Sequence, residues 1–474
     1  MDRDKNYNIN STRRRILQAT TASASLASMN ASSGILLAET EFGDRRQKVL
    51  EKKKVSLGFI PLTDCASLVI AQEKGFFEKF GLDVELKKQT SWSNIRDKVS
   101  INALDGAQML ATMPIATTLG IGTVKKPTLA ALTMALNGNA ITVSHELYTR
   151  MLELDPAAMQ EQPVTARALK KVIEQDKQSG RPLMTFATVF PLSTHSYELR
   201  YWMAAAGIDP DRDVRLAVIP PAQMVNHLES RRIVGYCVGE PWNELAVSAG
   251  IGRTLITKYE IWNNSPEKVF AVNQEWAEQN PHTLKAIVKA MIEASQWIDF
   301  PENRVPTAEI LSREEYVDAP IDVIKMSMTG TFQYARHLAP VAMPDFNVFH
   351  RYSANYPWLS HAQWYISQMY RWGHIDKPIN ILATAAQVYR PDIYTEAARE
   401  LDLEIPAALV KTEGYNNTNW QLQDAGRSLT MGSDKFFDQV KFNPANLIDY
   451  IYDFPMKNTK LSKSELQEHN SIST

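Results

Sequence analysis

The sequence predicts an α/β protein whose helices cover the faces of its sheets. Short apolar segments with strand-like and helix-like patterns alternate from residue 55 to about residue 245. Glycine and proline end many of them, as at Gly75, Gly81 and Pro220. Beyond residue 280 the periodicity becomes helical. Together these observations predict layered α/β structure followed by a helical C-terminal region.

The first block of segments lies between residues 55 and 119. Residues 55–60 alternate as a strand, and residues 65–74 form a compact apolar helix that Gly75 ends. After Trp92, either Ser93 or Asn94 can cap a helix that runs to about Leu104. The remaining predicted elements of this block are strands at 83–86 and 107–111 and a helix after Pro114.

The second block repeats the alternation between residues 184 and 242. It ends at Glu240-Pro241-Trp242, which we interpret as a strut between lobes. The predicted strands are 184–187, 214–219 and 233–238, and the predicted helices are 194–206 and 222–228.

The C-terminal region begins with a strong helix signal. Asn280 suits the cap position and Pro281 the first helical position. The apolar residues that follow have helical spacing, and most of 281–460 reads as helix with proline-rich breaks. Residues 457–474 are polar and without apolar periodicity, which predicts a flexible tail.

The N-terminus resembles a twin-arginine export signal. Thr12 precedes the pair Arg13-Arg14, and a weakly apolar stretch continues to Ala38. That stretch contains Ser, Thr and Asn, so it is too polar to span a bilayer. We expect residues 1–38 to be a signal peptide and the mature protein to be periplasmic.

Composition excludes several classes of function. The formal net charge of −2 gives no electrostatic footprint for nucleic acid. The two cysteines, Cys65 and Cys237, have no metal-binding spacing, and two buried free thiols are the expected state. Catalytic and phosphate-binding motifs are absent from the sequence, so we expect neither an enzyme nor a cofactor.

Seven segments, in order along the chain, carry a resemblance to one family. They are VSLGFIPLTDCASLVIAQEKGFF at 55–77, TSWSNIRD at 90–97, DGAQMLATMP at 105–114, THSYELRYW at 194–202, VIPPAQM at 218–224, CVGEPW at 237–242 and PEKV at 266–269. In these segments the chain is similar to the type II solute-binding proteins of ABC importers, most closely to their nitrate- and bicarbonate-binding branch. That resemblance implies two α/β lobes joined by a hinge, with a small anion held between them.

The resemblance also implies a set of ligand-binding residues. Trp92 corresponds to an aromatic wall, and Asn139 stands where the family often has glutamine. The other three implied residues are His195, Pro221 and Lys268.

These residue types suit a small planar oxyanion. Nitrate has acceptor oxygens and two flat faces, so it needs in-plane donors and tolerates a ring above it. Lys268 would supply charge, His195 and Asn139 would supply N–H groups, and Trp92 would stack. The helix start near Ser93 would add backbone N–H groups. We expect a cavity that is neutral apart from one lysine.

Each residue also has a structural explanation. Trp92 could belong to a core or a rim, His195 could be a satisfied histidine at a helix start, and Lys268 a solvated surface charge. Asn139 could simply serve a turn beside Gly138. The functional interpretation of these residues therefore depends mostly on the family resemblance.

The expected protein is a periplasmic component of a nitrate importer. Lobe 1 would comprise 51–136 and 246–456, with the helical extension wrapped around it, and lobe 2 would comprise 137–245. The lobes would close on the anion and deliver it to an inner-membrane ABC permease and its ATPase.

The sequence leaves alternatives for the ligand and for the function. Nitrite, bicarbonate and cyanate are the alternative ligands. A nitrate/nitrite sensor with a regulatory partner is one rival function; it should lack the export signal. An enzyme on the same fold is another; it would need a nucleophile or an acid/base pair in the cleft.

Overall fold

The computed structural model describes residues 49–424 and 427–470. The predicted signal, residues 1–38, lies outside the described residues. Among the helices of the described ranges, none is long and apolar enough to cross a membrane.

The first of two large sheets has six strands and mixed direction. The first three strands along the chain run parallel to one another. Pro266–Asn273, which follows the second sheet in the chain, is antiparallel to both of its neighbours. A short C-terminal strand completes one edge. In spatial order the strands are Asn347–Val348, Thr128–Asn137, Pro266–Asn273, Gly106–Leu110, Lys54–Phe59 and Asp83–Lys88.

The second sheet has five strands and is also mixed. Two strands run parallel to Thr185–Thr188, and Asn139–Ser144 is antiparallel to both of its neighbours. We call the layers built on the first and second sheets the first and second lobes. The spatial order is Arg215–Val218, Thr185–Thr188, Gly235–Gly239, Asn139–Ser144 and Gly252–Thr257. This arrangement of α/β layers confirms the predicted fold class.

The chain crosses between the lobes twice, and the two crossings are bonded to each other. The first passes through Asn137 and Gly138, both of which have positive φ, at 61° and 85°. The second follows Thr257 and returns to the first sheet at Pro266. Asn137 Nδ2 donates to Asn264 Oδ1 at 3.2 Å, which joins the crossings side by side. Paired crossings of this kind are where a hinge between lobes is located.

Helices cover both sheets, and most follow the predicted segments. The predicted helix at 65–74 is a 3₁₀ turn, Thr63–Cys65, followed by an α-helix. The α-helices before residue 280 are Ala66–Glu73, Phe76–Lys79, Trp92–Ser100, Met113–Leu119, His145–Leu154, Arg167–Gln178, Thr194–Ala205, Met224–Glu229, Trp242–Ser248, Lys258–Ile261 and Gln274–Gln279, with further 3₁₀ turns at Ala158–Gln160 and Pro221–Gln223.

The C-terminal region is helical as predicted from residue 281, with two differences. Between Pro391–Arg399 and Leu447–Asp453 the chain forms a hairpin and irregular segments rather than α-helix. The predicted flexible tail contains a helix, Lys463–Asn470, because its one apolar side chain, Leu466, is fully buried. The other α-helices are Pro281–Asp299, Pro301–Leu311, Ile321–Met328, Leu359–Arg371 and Ile381–Val388; Pro444–Asn446 is 3₁₀, and two short hairpins pair Thr331–Phe332 with Val341–Ala342 and Trp420–Asp424 with Arg427–Met431.

The C-terminal region contacts the second lobe as well as the first. Tyr197, on a second-lobe helix, hydrogen-bonds through its hydroxyl to His374 Nδ1 at 2.8 Å. One turn later, the ring of Tyr201 packs against Trp364 and Phe436. The extension therefore braces both lobes, where we expected it to wrap the first alone.

Candidate functional site

A buried polar cluster lies where the two lobes meet. Lys268 comes from the first sheet, in the strand Pro266–Asn273, and Asn139 begins a strand of the second sheet. His195 comes from the second helical residue of Thr194–Ala205. All three side chains are fully buried, so Lys268 is not a surface charge.

Lys268 is held by two carboxylates. Its Nζ lies 2.8 Å from Asp64 Oδ2 and 2.5 Å from Glu267 Oε1. Burial opposes its charge, but Asp64 and Glu267 together raise the pKa of Lys268. The ammonium is therefore retained in a place where an isolated charge would be strongly disfavoured.

A second lysine extends the cluster into the second lobe. Lys258 forms ion pairs with Glu267 and, at 2.7 Å, with Glu198 Oε1. Asn139 Nδ2 then donates to Glu198 Oε2 at 3.2 Å. Glu198 belongs to the second lobe and Glu267 to the first, so Lys258 ties the lobes together at the hinge.

The three carboxyl groups differ in how well they are paired. Burial alone would raise the pKa of Glu267, yet Lys258 and Lys268 hold it below its ordinary value. Burial raises the pKa of Asp64 and of Glu198, and the lysine beside each only partly offsets this effect. Glu267 is therefore the ionised anchor of the cluster, while Asp64 and Glu198 are the carboxyls most easily protonated.

His195 is neutral and has a free ring nitrogen. Burial lowers the pKa of His195 to about 3, and the neighbouring Glu267 does not reverse this shift. Its Nδ1 lies 3.4 Å from Thr194 Oγ1, whereas Nε2 lies 3.5 Å from Glu267 Oε1 and makes no aligned hydrogen bond among the described residues. The free nitrogen can serve a ligand, as a donor in the tautomer that carries the proton there.

Trp92 combines core packing with an unused donor. The side chain is 1 % exposed and belongs to the same hydrophobic core cluster as Ile60 and Leu62, so the structure gives it a core environment. Its Nε1 has no partner among the described residues, although buried indole N–H groups usually have one. Lys268 Nζ lies 5.5 Å from the ring centroid, within cation–π range. The residue therefore faces the cluster.

The helix start beside Trp92 differs from the prediction. Ser91, not Ser93 or Asn94, is the cap residue, and its hydroxyl accepts from the Asn94 N–H at 3.2 Å. Trp92 itself is the first helical residue because the cap lies one position before it.

Gly239 lies at a close approach of the two lobes. A Cβ built at Gly239 would lie 3.2 Å from Asn139 Oδ1 and 3.4 Å from Asp64 Oδ2. Neither oxygen accepts a well-aligned hydrogen bond from a described residue. Pro221 is buried at the start of a 3₁₀ turn and has no N–H, so only its ring and carbonyl could reach a ligand.

The expected cavity with a single lysine is wrong. Two lysines and three carboxyl groups share the site, and the partners that sequence reasoning missed are Asp64, Gln108, Glu198, Lys258 and Glu267. Glu198 lies three residues after His195, so both side chains lie on one face of the helix. This spacing could have identified Glu198 as a site residue from the sequence. In the described ranges no group of three or more His, Cys, Asp or Glu side chains is arranged to hold a metal ion.

Both cysteines are buried free thiols, as expected. Burial raises the pKa of the Cys65 and Cys237 thiols well above the ordinary value, so neither is an activated nucleophile.

Comparison with known proteins identifies relatives along most of the chain. The profile of the NMT1-like family matches residues 48–312. The chain is 34% identical over 417 residues to the nitrate/nitrite binding protein NrtA of Nostoc sp. PCC 7120, covering 86% of this chain and 87% of that protein. It is 41% identical over 364 residues to the nitrate import ATP-binding protein NrtC of Synechocystis sp. PCC 6803, covering 75% of this chain and 52% of that protein. The chain thus spans about half the length of NrtC.

A solved structure shares the same architecture. The crystal structure of the periplasmic nitrate-binding protein NrtA from Synechocystis PCC 6803 superposes with a TM-score of 0.75 at 30% identity. The alignment covers 86% of this chain and all of that chain (100%).

Proposed function

Because the chain belongs to the NMT1-like family and is homologous to NrtA nitrate-binding proteins, we propose that it is the solute-binding component of an ABC importer for nitrate. The ligand would lie between the two lobes, in contact with Trp92, Asn139, His195, Pro221 and Lys268.

The observation that carries this proposal is an unused indole N–H and an unused imidazole nitrogen beside a buried ammonium. Trp92 Nε1 and His195 Nε2 are buried without partners among the described residues, and both side chains adjoin Lys268 or its partner Glu267. Unpartnered buried donors are rare, because each loses its hydrogen bond to water. An oxyanion that accepts from both and lies near Lys268 would restore those bonds.

Closure of the lobes would trap the anion. The described conformation already has direct contacts between lobes, since the Thr63 N–H donates to the Glu240 carbonyl at 2.8 Å and Trp242 Nε1 donates to the Pro61 carbonyl at 3.2 Å. Opening would break these bonds while the paired crossings at Asn137 and Asn264 remain joined. The closed form would then dock on a permease, and an ATPase would drive release. The relatives named for ATP binding and nitrate binding support both partners.

The site of action would be the periplasm. The Arg13-Arg14 pair and the stretch to Ala38 support export, and they argue against a cytoplasmic sensor. Catalysis has no support in the cluster, because the thiols are inert and the only buried histidine in it is neutral and not paired with a nucleophile.

Bicarbonate is the second candidate ligand, and one observation favours it. Asn139 Oδ1, beside Gly239, is a buried acceptor without a hydrogen-bond partner among the described residues. Bicarbonate carries an O–H group that could donate there, whereas nitrate carries acceptors only.

Calorimetric titration of the full-length protein separates these ligands. We expect saturable binding of nitrate at one site per chain and weaker binding of bicarbonate, nitrite and cyanate at the same pH. Tighter binding of bicarbonate than of nitrate would refute nitrate as the principal ligand, and no binding of any of the four anions would refute the proposed function.

A further inference from the structure

The buried cluster holds one more carboxyl group than ammonium groups. Asp64, Glu198 and Glu267 contribute three carboxylates, and Lys258 and Lys268 contribute two ammonium groups. His195 adds no charge, because burial lowers its pKa to about 3. With every carboxyl ionised the cluster sums to −1, and a bound monoanion would bring it to −2. All five charged side chains are at most 7 % exposed, so water screens this charge poorly.

Protonation of one carboxylate would cancel the excess negative charge of the cluster. It would also supply a hydrogen-bond donor where the site and nitrate both present acceptors. Nitrate offers only acceptor oxygens, and Asp64 Oδ2 and Asn139 Oδ1, which both lie close to Gly239, are acceptors as well. A proton on an Asp64 oxygen turns one of these acceptors into a donor. It also frees Lys268 from one of its two carboxylate partners, so that the full ammonium charge faces the ligand.

Asp64 is better placed for this proton than the other two carboxyls. Glu267 contacts both lysines and accepts from Thr194 Oγ1 at 2.7 Å, so it stays ionised. Glu198 accepts a hydrogen bond from the Asn139 amide, and it pairs with Lys258 rather than with Lys268. Asp64 pairs with Lys268, the proposed cation for the ligand, and its Oδ2 also lies beside Gly239, where the lobes approach each other closely.

We propose that Asp64 carries a proton in the nitrate complex, so that nitrate binding is accompanied by uptake of one proton from solvent. The inference rests on the proposed function, because it concerns how the same site holds nitrate. In the balanced step, the Asp64 carboxylate, one solvent proton and nitrate give a neutral Asp64 acid beside bound nitrate. No bond in nitrate is broken. Burial, which raises the pKa of Asp64 in the ligand-free site, supports the direction of the effect.

The charged and titratable groups near Asp64 lie on the first sheet, at the hinge, in its own 3₁₀ turn and at Glu240. Lys268 and Glu267 face it from the first sheet, and Lys258 acts from the hinge. Cys65 adjoins it in sequence and stays a neutral thiol, because burial and Asp64 both raise the pKa of that group. Glu240 touches the same loop through its backbone carbonyl only, since its carboxylate accepts from the Glu244 N–H at 3.1 Å.

The experiment measures nitrate binding to the full-length protein by calorimetry between pH 5.5 and 9. At each pH, two buffers of different ionisation enthalpy give the number of protons taken up. We expect a pH window in which uptake approaches one proton and the nitrate dissociation constant rises by up to about tenfold per pH unit. Asp64→Asn, which keeps a donor and removes the charge, should bind nitrate with a pH-independent affinity. It should bind at least about tenfold more tightly than wild type at the alkaline end.

Matched variants identify the residue that takes up the proton. Asp434→Asn replaces another buried aspartate with a raised pKa, outside the cluster, and should leave proton uptake intact. Glu240→Gln should also leave proton uptake intact.

Nitrate binding by wild type with no proton uptake across the whole range would overturn the inference and leave the proposed function standing. Uptake that survives in Asp64→Asn but disappears in Glu198→Gln would overturn it as well. Absence of nitrate binding at every pH would overturn the proposed function itself. If Asp64→Asn does not fold, nitrate binding by wild type without proton uptake would still overturn the inference.

Discussion

Glu267 Oε1 accepts a hydrogen bond from the ammonium of its own sequence neighbour, Lys268, at 2.5 Å. Successive side chains on a regular strand point to opposite faces of the sheet, so this contact needs a local irregularity. The pairing of Pro266–Asn273 with Thr128–Asn137 shifts register on both sides of Lys268. Bulges of this kind redirect side chains and occur beside functional sites. Here the irregularity brings an acid and a base from adjacent positions into one cluster.

Trp92→Phe tests whether the indole N–H binds the ligand. The substitution keeps a buried aromatic ring and removes the unpartnered N–H together with part of the ring volume. We expect nitrate affinity to fall by roughly 1.5–3 kcal/mol, the range for a hydrogen bond to a charged group. Calorimetry measures this loss. Trp92→Ala is the contrast, since truncation of a buried aromatic should cost about 3–5 kcal/mol of stability in thermal melts. A Phe variant with unchanged nitrate affinity would leave Trp92 as a core residue only.

Gly239→Ala tests whether the space between Asn139 and Asp64 holds the ligand. The added methyl group would lie 3.2 Å from Asn139 Oδ1, so that side chain must shift by a few tenths of an ångström; because Gly239 does not have positive φ, we expect only a modest fall in melting temperature. If the ligand occupies this space, nitrate affinity should fall at least about tenfold. A variant that melts like wild type and binds nitrate equally well would exclude that position for the anion.

Two buried glutamates near the hinge should make stability depend on pH. Burial raises the pKa of Glu240 from 4.5 to about 8 and that of Glu244 from 4.5 to about 9. The folded protein therefore binds more protons than the unfolded chain between about pH 4.5 and pH 8–9. Its free energy of unfolding should fall as pH rises through that window, by roughly 1.4 kcal/mol per pH unit for each extra proton bound.

Denaturant unfolding of wild type and Glu240→Gln at pH 5 and pH 8 isolates the contribution of one carboxyl. The amide is neutral at both values and can still accept from the Glu244 N–H. We expect the variant to lose less stability than wild type between the two pH values. Equal losses in the two proteins would show that Glu240 does not titrate in this range.

The arginine pair should direct export. Replacement of Arg13 and Arg14 with lysine keeps the charge and removes the twin-arginine feature. We expect the precursor to accumulate in the cytoplasm, as cell fractionation with an antibody would detect. Wild-type protein that stays uncleaved in the cytosol would instead favour the sensor interpretation.

Local patterns were sufficient to predict most of the fold. Strand and helix periodicity predicted elements that the structure has at Lys54–Phe59, Thr194–Ala205 and Pro281–Asp299. The helix Lys463–Asn470 was missed because only Leu466 is apolar and buried, and one residue makes no periodicity. Such a helix depends on tertiary contacts, which the sequence pattern does not contain.

The site was predictable only in part, for a related reason. The family resemblance led to Lys268 and His195, which the structure brings to one cluster. The charged partners depend on long-range contacts: Lys258 meets Glu198, 60 positions away along the chain, only after both lobes have folded. The register shifts around Lys268 are likewise a property of the sheet, so the sequence alone suggested one lysine in a neutral cavity.

Nitrate titration of wild type and Lys268→Met tests the central claim most directly. Methionine fills a similar volume without the charge. We predict that nitrate binding weakens by roughly 1.5–3 kcal/mol, because the principal cation of the site is lost. The variant should also be less stable by about 3–5 kcal/mol, since Asp64 and Glu267 lose a buried partner, so binding is measured below its melting temperature. A folded Lys268→Met protein that binds nitrate as tightly as wild type would contradict the account.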